Sequence, residues 1–302
     1  MAKFIGRREF LKSIGATVAG ISLTQVYNPL VAKALAEVVQ TAPPVIWFAG
    51  GTCGGCSISA LNAMAPQIDE ILLKMITLHY HINISASSGE TLMEHVYKVM
   101  EEHKGKYIYI QEGVVSTAAE GRFCVVGEYK GKKIAMAQLA KELAQNAQAV
   151  VAVGSCSAFG GIPSAPPNPT GVKPLSEVVD KPVINIPGCP AHPDDVFGTL
   201  IYYLKNGLPE LDQHNRPKLF FGEEIHQKCF LKPQFDAENM AENFGEQGKC
   251  YALLGCLGPK THCNSWKRGW NSNINWCVKS GSHCIACTEP TFSKTKAGMY
   301  AY

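Results

Sequence analysis

Charge imbalance is what this sequence most lacks: 28 Lys and Arg stand against 25 Asp and Glu, a formal net charge of +3. Even that excess sits at the N-terminus, where Lys3, Arg7, Arg8, Lys12 and Lys33 outweigh Glu9, so that residues 37–302 alone balance at −1. A chain this close to neutral offers no basic surface for nucleic acid. Also missing is any run of roughly 18 apolar residues of the kind that spans a bilayer. The last stretch, "EPTFSKTKAGMYAY", carries no apolar anchor. No nucleic-acid partner and no transmembrane segment are therefore expected, and the mature chain is expected to be soluble or peripherally attached to a membrane. Two things are plentiful instead. Hydrophobic residues make up 46% of 302, enough to bury one large core or two, and there are 12 cysteines.

The first 36 residues read as an address. "GRREFLK" places two arginines before Phe-Leu-Lys, a mildly apolar segment runs from Ile14 to Val26, and "ALA" (Ala34–Ala36) supplies small residues for cleavage. This order is that of a twin-arginine export signal rather than of an amphipathic helix. That route carries proteins already folded, usually around a cofactor, and predicts a periplasmic protein whose cysteines are committed before export.

From Val45 to about Gly207, β-rich runs ("VIWFA", "MITLHYH", "YIYIQE", "AVVAVG", "PVINIPG") alternate with helical patterns ("ISALNAMAPQIDEILLK", "GETLMEHVYKVMEEHK", "IAMAQLAKELAQNA", "HPDDVFGTLIYYLKN"). Such alternation predicts an α/β fold, a doubly wound parallel sheet over residues 37–208 with ligands beyond the C-terminal strand ends. From residue 209 to 302 the pattern fades, and Gly, Pro, Asn and Trp crowd between cysteines. That part is expected to be a smaller, irregular domain organised around metal.

The cysteines of the first domain fall at strand ends. Cys53 and Cys56 follow "VIWFA", Cys156 follows "AVVAVG" and Cys189 follows "VINIPG". Four thiols on tight glycine-rich loops suit an iron-sulfur cubane, one cysteinate to each iron, with backbone N–H groups near the sulfurs. A tetrahedral zinc accepts the same four ligands, and spacing does not exclude it. In the second domain "HQKC" and "CYALLGC" supply His226, Cys229, Cys250 and Cys256, while "CNSW", "NWC" and "SHCIAC" supply Cys263, Cys277, Cys284 and Cys287. Only Cys124 is left over, in the strand-like "RFCVVGE", and is expected to be a buried structural thiol.

Taken in order, the leader, "CGGCS", "GSC" with "GGIP", "NIPGCPAHP", "FFG" with "IHQKC", "GCLGP", "WN" with "NWC" and "CIACTEPTF" resemble the small subunit of nickel-iron hydrogenases over essentially the whole chain. The resemblance implies a flavodoxin-like domain and a C-terminal iron-sulfur domain. It further implies a proximal 4Fe-4S cluster on Cys53, Cys56, Cys156 and Cys189, and a distal 4Fe-4S cluster on His226, Cys229, Cys250 and Cys256. The medial cluster would sit on Cys263, Cys284 and Cys287. Many relatives have proline where this chain has Cys277 and carry a medial 3Fe-4S cluster; the fourth cysteine implies 4Fe-4S, as in nickel-iron-selenium hydrogenases. The interval from Cys256 to Cys263 is shorter than usual in the family. Oxygen-tolerant members carry extra cysteines where this chain has Gly55 and Gly161, so an oxygen-sensitive enzyme is implied.

In that reading the chain is an oxidoreductase subunit that relays electrons between the nickel-iron centre of an obligate large partner subunit and a periplasmic acceptor, expected to be a c-type cytochrome. No catalytic residue is expected in the chain itself, apart from Glu112, whose place at a strand end suits a proton relay. His79, His81, His95 and His103 lack ligand spacing and are expected to be surface or satisfied core histidines. His192 is expected to shape its turn, and Trp266, Trp270 and Trp276 to pack around the medial cluster. A zinc-stabilised binding module and a disulfide-rich or thioredoxin-like exported protein are the competing readings. The first explains neither three cysteine sets nor folded export. The second lacks the Trp and Pro of the thioredoxin-like motif.

Overall fold

A computed structural model of the chain describes residues 42–293, so the expected leader and the last nine residues lie outside the described residues. Five parallel strands form the central sheet: β1 (Pro44–Ala49), β2 (Thr77–His81), β3 (Ile108–Glu112), β7 (Ala149–Val153) and β9 (Val183–Ile186), in the order β2-β1-β3-β7-β9. Counting only these five along the chain, the order is 2-1-3-4-5, the flavodoxin-like one, whose switch point lies between β1 and β3. All five strands are where the sequence pattern predicts them. Strands β1, β3, β7 and β9 are buried on both faces, as a parallel sheet between helices requires, while β2 at the edge is exposed at its start.

The two-residue alternation of β1 shows how the core divides. Val45 and Trp47 face one cluster, with Ile108, Ile110, Val151 and Ile184. Ile46 and Phe48 face the other, with Tyr107, Tyr109, Val150 and Ala152. Helices α2 (Gly89–Glu102) and α3 (Met136–Asn146) cover the second face. The first face is covered by α1 (Gly55–Ala60) and α5 (Pro193–Asn206), on either side in sequence of the short α4 (Gly154–Phe159). Helix α5 begins as "HPDD" predicts. His192 caps it by accepting from Asp194 N at 3.1 Å, Pro193 opens it, and two acids occupy its first turn.

Two expectations are corrected. The helical run 58–74 is not one helix: α1 stops at Ala60, and a separate turn resumes at Ile68–Glu70 and continues as Ile71–Met75. Pro66 sits in the gap, where it would remove a helical N–H and clash with the preceding turn. In addition, β5 (Val125–Tyr129) and β6 (Lys132–Ala135) form an antiparallel hairpin outside the main sheet, and β4 (Val115–Ser116) pairs with β8 (Val172–Lys173). Cys124, just before β5, is half-buried against the second core rather than fully enclosed.

After residue 208, the described residues contain helical turns and isolated bridges but no extended strand. The core of this part is small, built on Ile225, Leu231, Tyr251, Trp276 and Val278 with Cys263 and Cys284 among them. Buried ions tie its first residues to its last ones. Arg216, only 2% exposed, donates to Asp212 Oδ2 (2.7 Å), Glu289 Oε1 (2.8 Å) and the carbonyl of Thr288 (2.9 Å). Glu289 Oε1 also accepts from His262 N at 2.6 Å. Removing one partner of a buried pair strands the others. Arg216→Met is therefore expected to cost about 3–5 kcal/mol in equilibrium denaturation. A loss below about 1 kcal/mol would mean that this network does not hold the C-terminal segment.

Candidate metal centres

Three strand ends deliver cysteine to one corner of the sheet. The loop after β1 carries Cys53, and Cys56 lies in the first turn of α1; Cys156 lies in α4, directly after β7; Cys189 follows β9. Each of the four lies in the electrostatic field of others of the set: Cys56 with Cys156 and Cys189, Cys156 with Cys189 and Cys53, and Cys189 with Cys53. Burial is the largest influence on the thiols of Cys56, Cys156 and Cys189. It pushes Cys56 well above the ordinary thiol range and, with the neighbouring Cys189 and Cys53, Cys156 up to about 12. Such thiols keep their protons until a cation displaces them, and a metal does so outright.

The surroundings suit a charged sulfur group. Ala191 N donates to Cys56 Sγ and Gly55 N to Cys53 Sγ, both at 3.4 Å, and the N–H of Ile162 points to Cys156. Two glycines keep space open. A methyl on Gly154 (φ +85°) would stand 2.5 Å from Cys56 Sγ, and one on Gly161 (φ +48°) 2.9 Å from Cys156 N.

Two further groups form in the C-terminal part. His226, Cys229, Cys250 and Cys256 line one cavity with Trp276 and Val278. His226 stands edge-on to Phe235, its ring centroid 4.7 Å away. Cys229 feels Cys256 and Cys250, and backbone N–H groups of Leu231 and Lys232 reach its sulfur. Cys287 feels Cys263, Cys277 and Cys284. Cys284 also lines the first cavity, and its N–H donates to Cys256 Sγ at 3.4 Å, so the two groups adjoin at Cys256 and Cys284. Trp276 packs at the cavity of the His226 group, whereas Trp270 packs against His192 (4.4 Å) and Arg268 (5.4 Å).

Apart from Cys124, the cysteines and the histidine named from the sequence thus gather at one corner of the sheet and in two adjoining groups of the C-terminal part. Such donor sets suit iron-sulfur clusters and zinc alike. Among the described residues, however, no three His, Cys, Asp or Glu side chains close around a single ion. None of the twelve cysteines is in a disulfide.

Glu112 at the end of β3 is 1% exposed and accepts from Thr52 Oγ1 at 3.1 Å and from the Ser57 hydroxyl. Ser57 is in turn 3.1 Å from His81 Nε2, and His81 Nδ1 accepts from Asn83 N, so the imidazole donates to Ser57 and Ser57 to the carboxylate. Thr52, Ser57 and His81 gave no sequence signal, because their meeting depends on β1, β2 and β3 lying side by side. The same holds for Ser155, whose hydroxyl receives Gly188 N (2.9 Å) and donates to the carbonyl of Cys287.

Comparison with known proteins agrees with this geometry. Residues 53–203 match the family model described as NADH ubiquinone oxidoreductase, 20 Kd subunit. Residues 221–300 match the model for the C-terminal region of the NiFe/NiFeSe hydrogenase small subunit. The chain is 43% identical to the periplasmic NiFeSe hydrogenase small subunit of Desulfomicrobium baculatum, over 98% of both chains. It is 36% identical to the periplasmic NiFe hydrogenase small subunit 1 of Nitratidesulfovibrio vulgaris, over 98% of this chain and 93% of the relative. The crystal structure of the reduced, active Ni-Fe-Se hydrogenase from Desulfomicrobium baculatum superposes with a TM-score of 0.80 at 44% identity, covering 83% of this chain and 96% of that one. Near-complete coverage at this identity makes the chain a member of the small-subunit family of NiFe and NiFeSe hydrogenases, the electron-transfer partners of a hydrogenase large subunit.

Proposed function

We propose that the chain is the electron relay of a periplasmic, oxygen-sensitive heterodimeric hydrogenase, with residues 37–208 holding a proximal 4Fe-4S cluster and residues 209–302 a medial and a distal one. Cys53, Cys56, Cys156 and Cys189 would hold the proximal cluster, His226, Cys229, Cys250 and Cys256 the distal one, and Cys263, Cys277, Cys284 and Cys287 a medial 4Fe-4S cluster. When bound, these clusters supply one-electron transfer along the chain. The observation that carries the reading is the meeting of four thiols from three strand ends, with backbone N–H groups directed at their sulfurs.

The chain's own residues have separable tasks. Backbone N–H groups and the glycine-lined space stabilise negative sulfur. His226 contributes a neutral donor in place of a thiolate, leaving the distal set one negative charge fewer and favouring electron exit there, toward an acceptor such as a c-type cytochrome. Exposed Ile58, Leu61 and Met64, on or just after α1, give the apolar face on which a large subunit would close over the proximal set. Glu112, fed by the Ser57 and His81 hydrogen bonds, is placed to hold a proton that enters or leaves the partner's reaction.

From the periplasmic fraction of its host, the chain is expected to purify with a larger nickel-containing subunit, with about 12 iron and about 12 acid-labile sulfide per chain, and to reduce a viologen dye under hydrogen. Two or three zinc atoms instead, cytoplasmic recovery, or no dye reduction would each overturn the corresponding part. Cys277→Pro is expected to produce the electron-spin resonance signal of an oxidised 3Fe-4S cluster; an unchanged spectrum removes Cys277 from the ligand set. Glu112→Gln is expected to lower turnover at saturating hydrogen about 100-fold with iron content unchanged. Wild-type turnover would return Glu112 to a structural role.

A further inference from the structure

Arg268 is the last residue of the helical turn Ser265–Arg268, which starts two positions after Cys263, and it is 4% exposed. Its guanidinium is held through all three nitrogens. Nε donates to Asn264 Oδ1 (2.6 Å) and Asp195 Oδ1 (3.2 Å), Nη2 to Asp195 Oδ2 (3.0 Å) and Nη1 to the carbonyl of Gly269 (3.1 Å), and Trp270 lies against it. Asp195 comes from the first turn of α5, so this cation is locked between the sheet domain and the loop that carries Cys263. Held through all three nitrogens and only 4% exposed, the side chain keeps its charge inside the protein.

The charge stands beside a cysteine of this group: Asn264, which accepts from Arg268 Nε at 2.6 Å, is the residue next to Cys263, and Cys263 Sγ lies 3.0 Å from Ser265 Oγ in the same helical turn as Arg268. In a buried site, a fixed positive charge stabilises whichever state of a neighbour is more negative.

We propose that Arg268 is a charge-compensating residue for the cluster on Cys263, Cys277, Cys284 and Cys287, raising its reduction potential and offsetting the negative charge that the fourth thiolate adds. The inference rests on the assignment of those four cysteines to one cluster. The step it acts on is the uptake of one electron; no bond forms or breaks, and the compensating charge is a guanidinium already in place rather than an incoming proton. A purely structural Arg268 would affect stability but leave the potential where it is.

Spin-resonance redox titration of the purified heterodimer separates these outcomes cluster by cluster. Arg268→Gln is expected to disfavour reduction of the medial cluster roughly tenfold, a shift of about 59 mV to lower potential for one electron, while the distal cluster titrates as in the wild type. Arg268→Lys is expected to restore most of the shift. Asp195→Asn, which deletes the opposing charge and keeps a hydrogen-bonding group, is expected to move the medial potential the other way. Should Arg268→Gln fail to assemble, the upward shift in Asp195→Asn decides the question. An intact medial spectrum with an unmoved potential in both variants overturns the inference. A medial spectrum indifferent to Cys277→Pro overturns the cluster assignment instead.

Discussion

A thiolate sulfur taken out of water carries a desolvation cost that its surroundings must meet, and most of the chain's organisation follows from where that cost falls. Burial raises thiols in each of the three groups, namely Cys56, Cys156, Cys229, Cys284 and Cys287 among others. Left to itself, the polypeptide would keep these groups protonated and neutral. What it supplies for the charged form is mostly backbone: N–H groups at Cys53, Cys56, Cys156, Cys229 and Cys256. These donors are already spent on sulfur, so loops that would be unremarkable elsewhere become a polar lining.

The two halves meet that cost from different reserves. The sheet part has a full hydrophobic core on each face, so its strand ends are held in place whether or not anything binds there. The part after residue 208 has one small cluster, in which Cys263 and Cys284 count among the buried core residues. There the donor atoms are also the packing atoms, and binding free energy becomes folding free energy. Polar ties add to this. Within this part Arg216 reaches Glu289 and the Thr288 carbonyl, and from the sheet side Asp195 reaches Arg268 and the Ser155 hydroxyl reaches the Cys287 carbonyl. Each of these ends within a few residues of a cysteine of the last group, so that group is positioned by the first domain as well as by its own.

The fold was legible from sequence to the extent that it is local. Five strands and three long helices follow from periodicity because a strand buried on both faces, or a helix with one apolar stripe, writes that pattern without reference to the rest of the chain. The failures share the opposite cause. Residues 58–74 keep a helical spacing of apolar side chains across Pro66, and only the backbone consequence of Pro66 breaks it. The β5–β6 hairpin pairs two short, largely exposed strands whose partner is each other and not the sheet. The cysteine groups were legible because the sequence marks them as a series; their supporting residues were not. Ser57, His81, Ser155, Arg216 and Arg268 carry no spacing signal, since each acquires its role from a partner on a distant element.

That asymmetry bears on the ligation proposed for Cys277. The ligand proposed at Cys277 is visible as one letter, but its thiolate would also add negative charge beside Cys263, Cys284 and Cys287, where burial already disfavours it. Charge of the other sign, close and fixed, would offset that addition. Arg268, buried and bonded through all three nitrogens to Asp195, Asn264 and the Gly269 carbonyl, has that character. A lysine in the open would not, because a mobile ammonium at the surface is screened by solvent and reaches into the protein weakly. On this view Cys277 and Arg268 form one physical unit, a ligand and its counter-charge, although eight residues and a tryptophan-rich loop separate them in sequence.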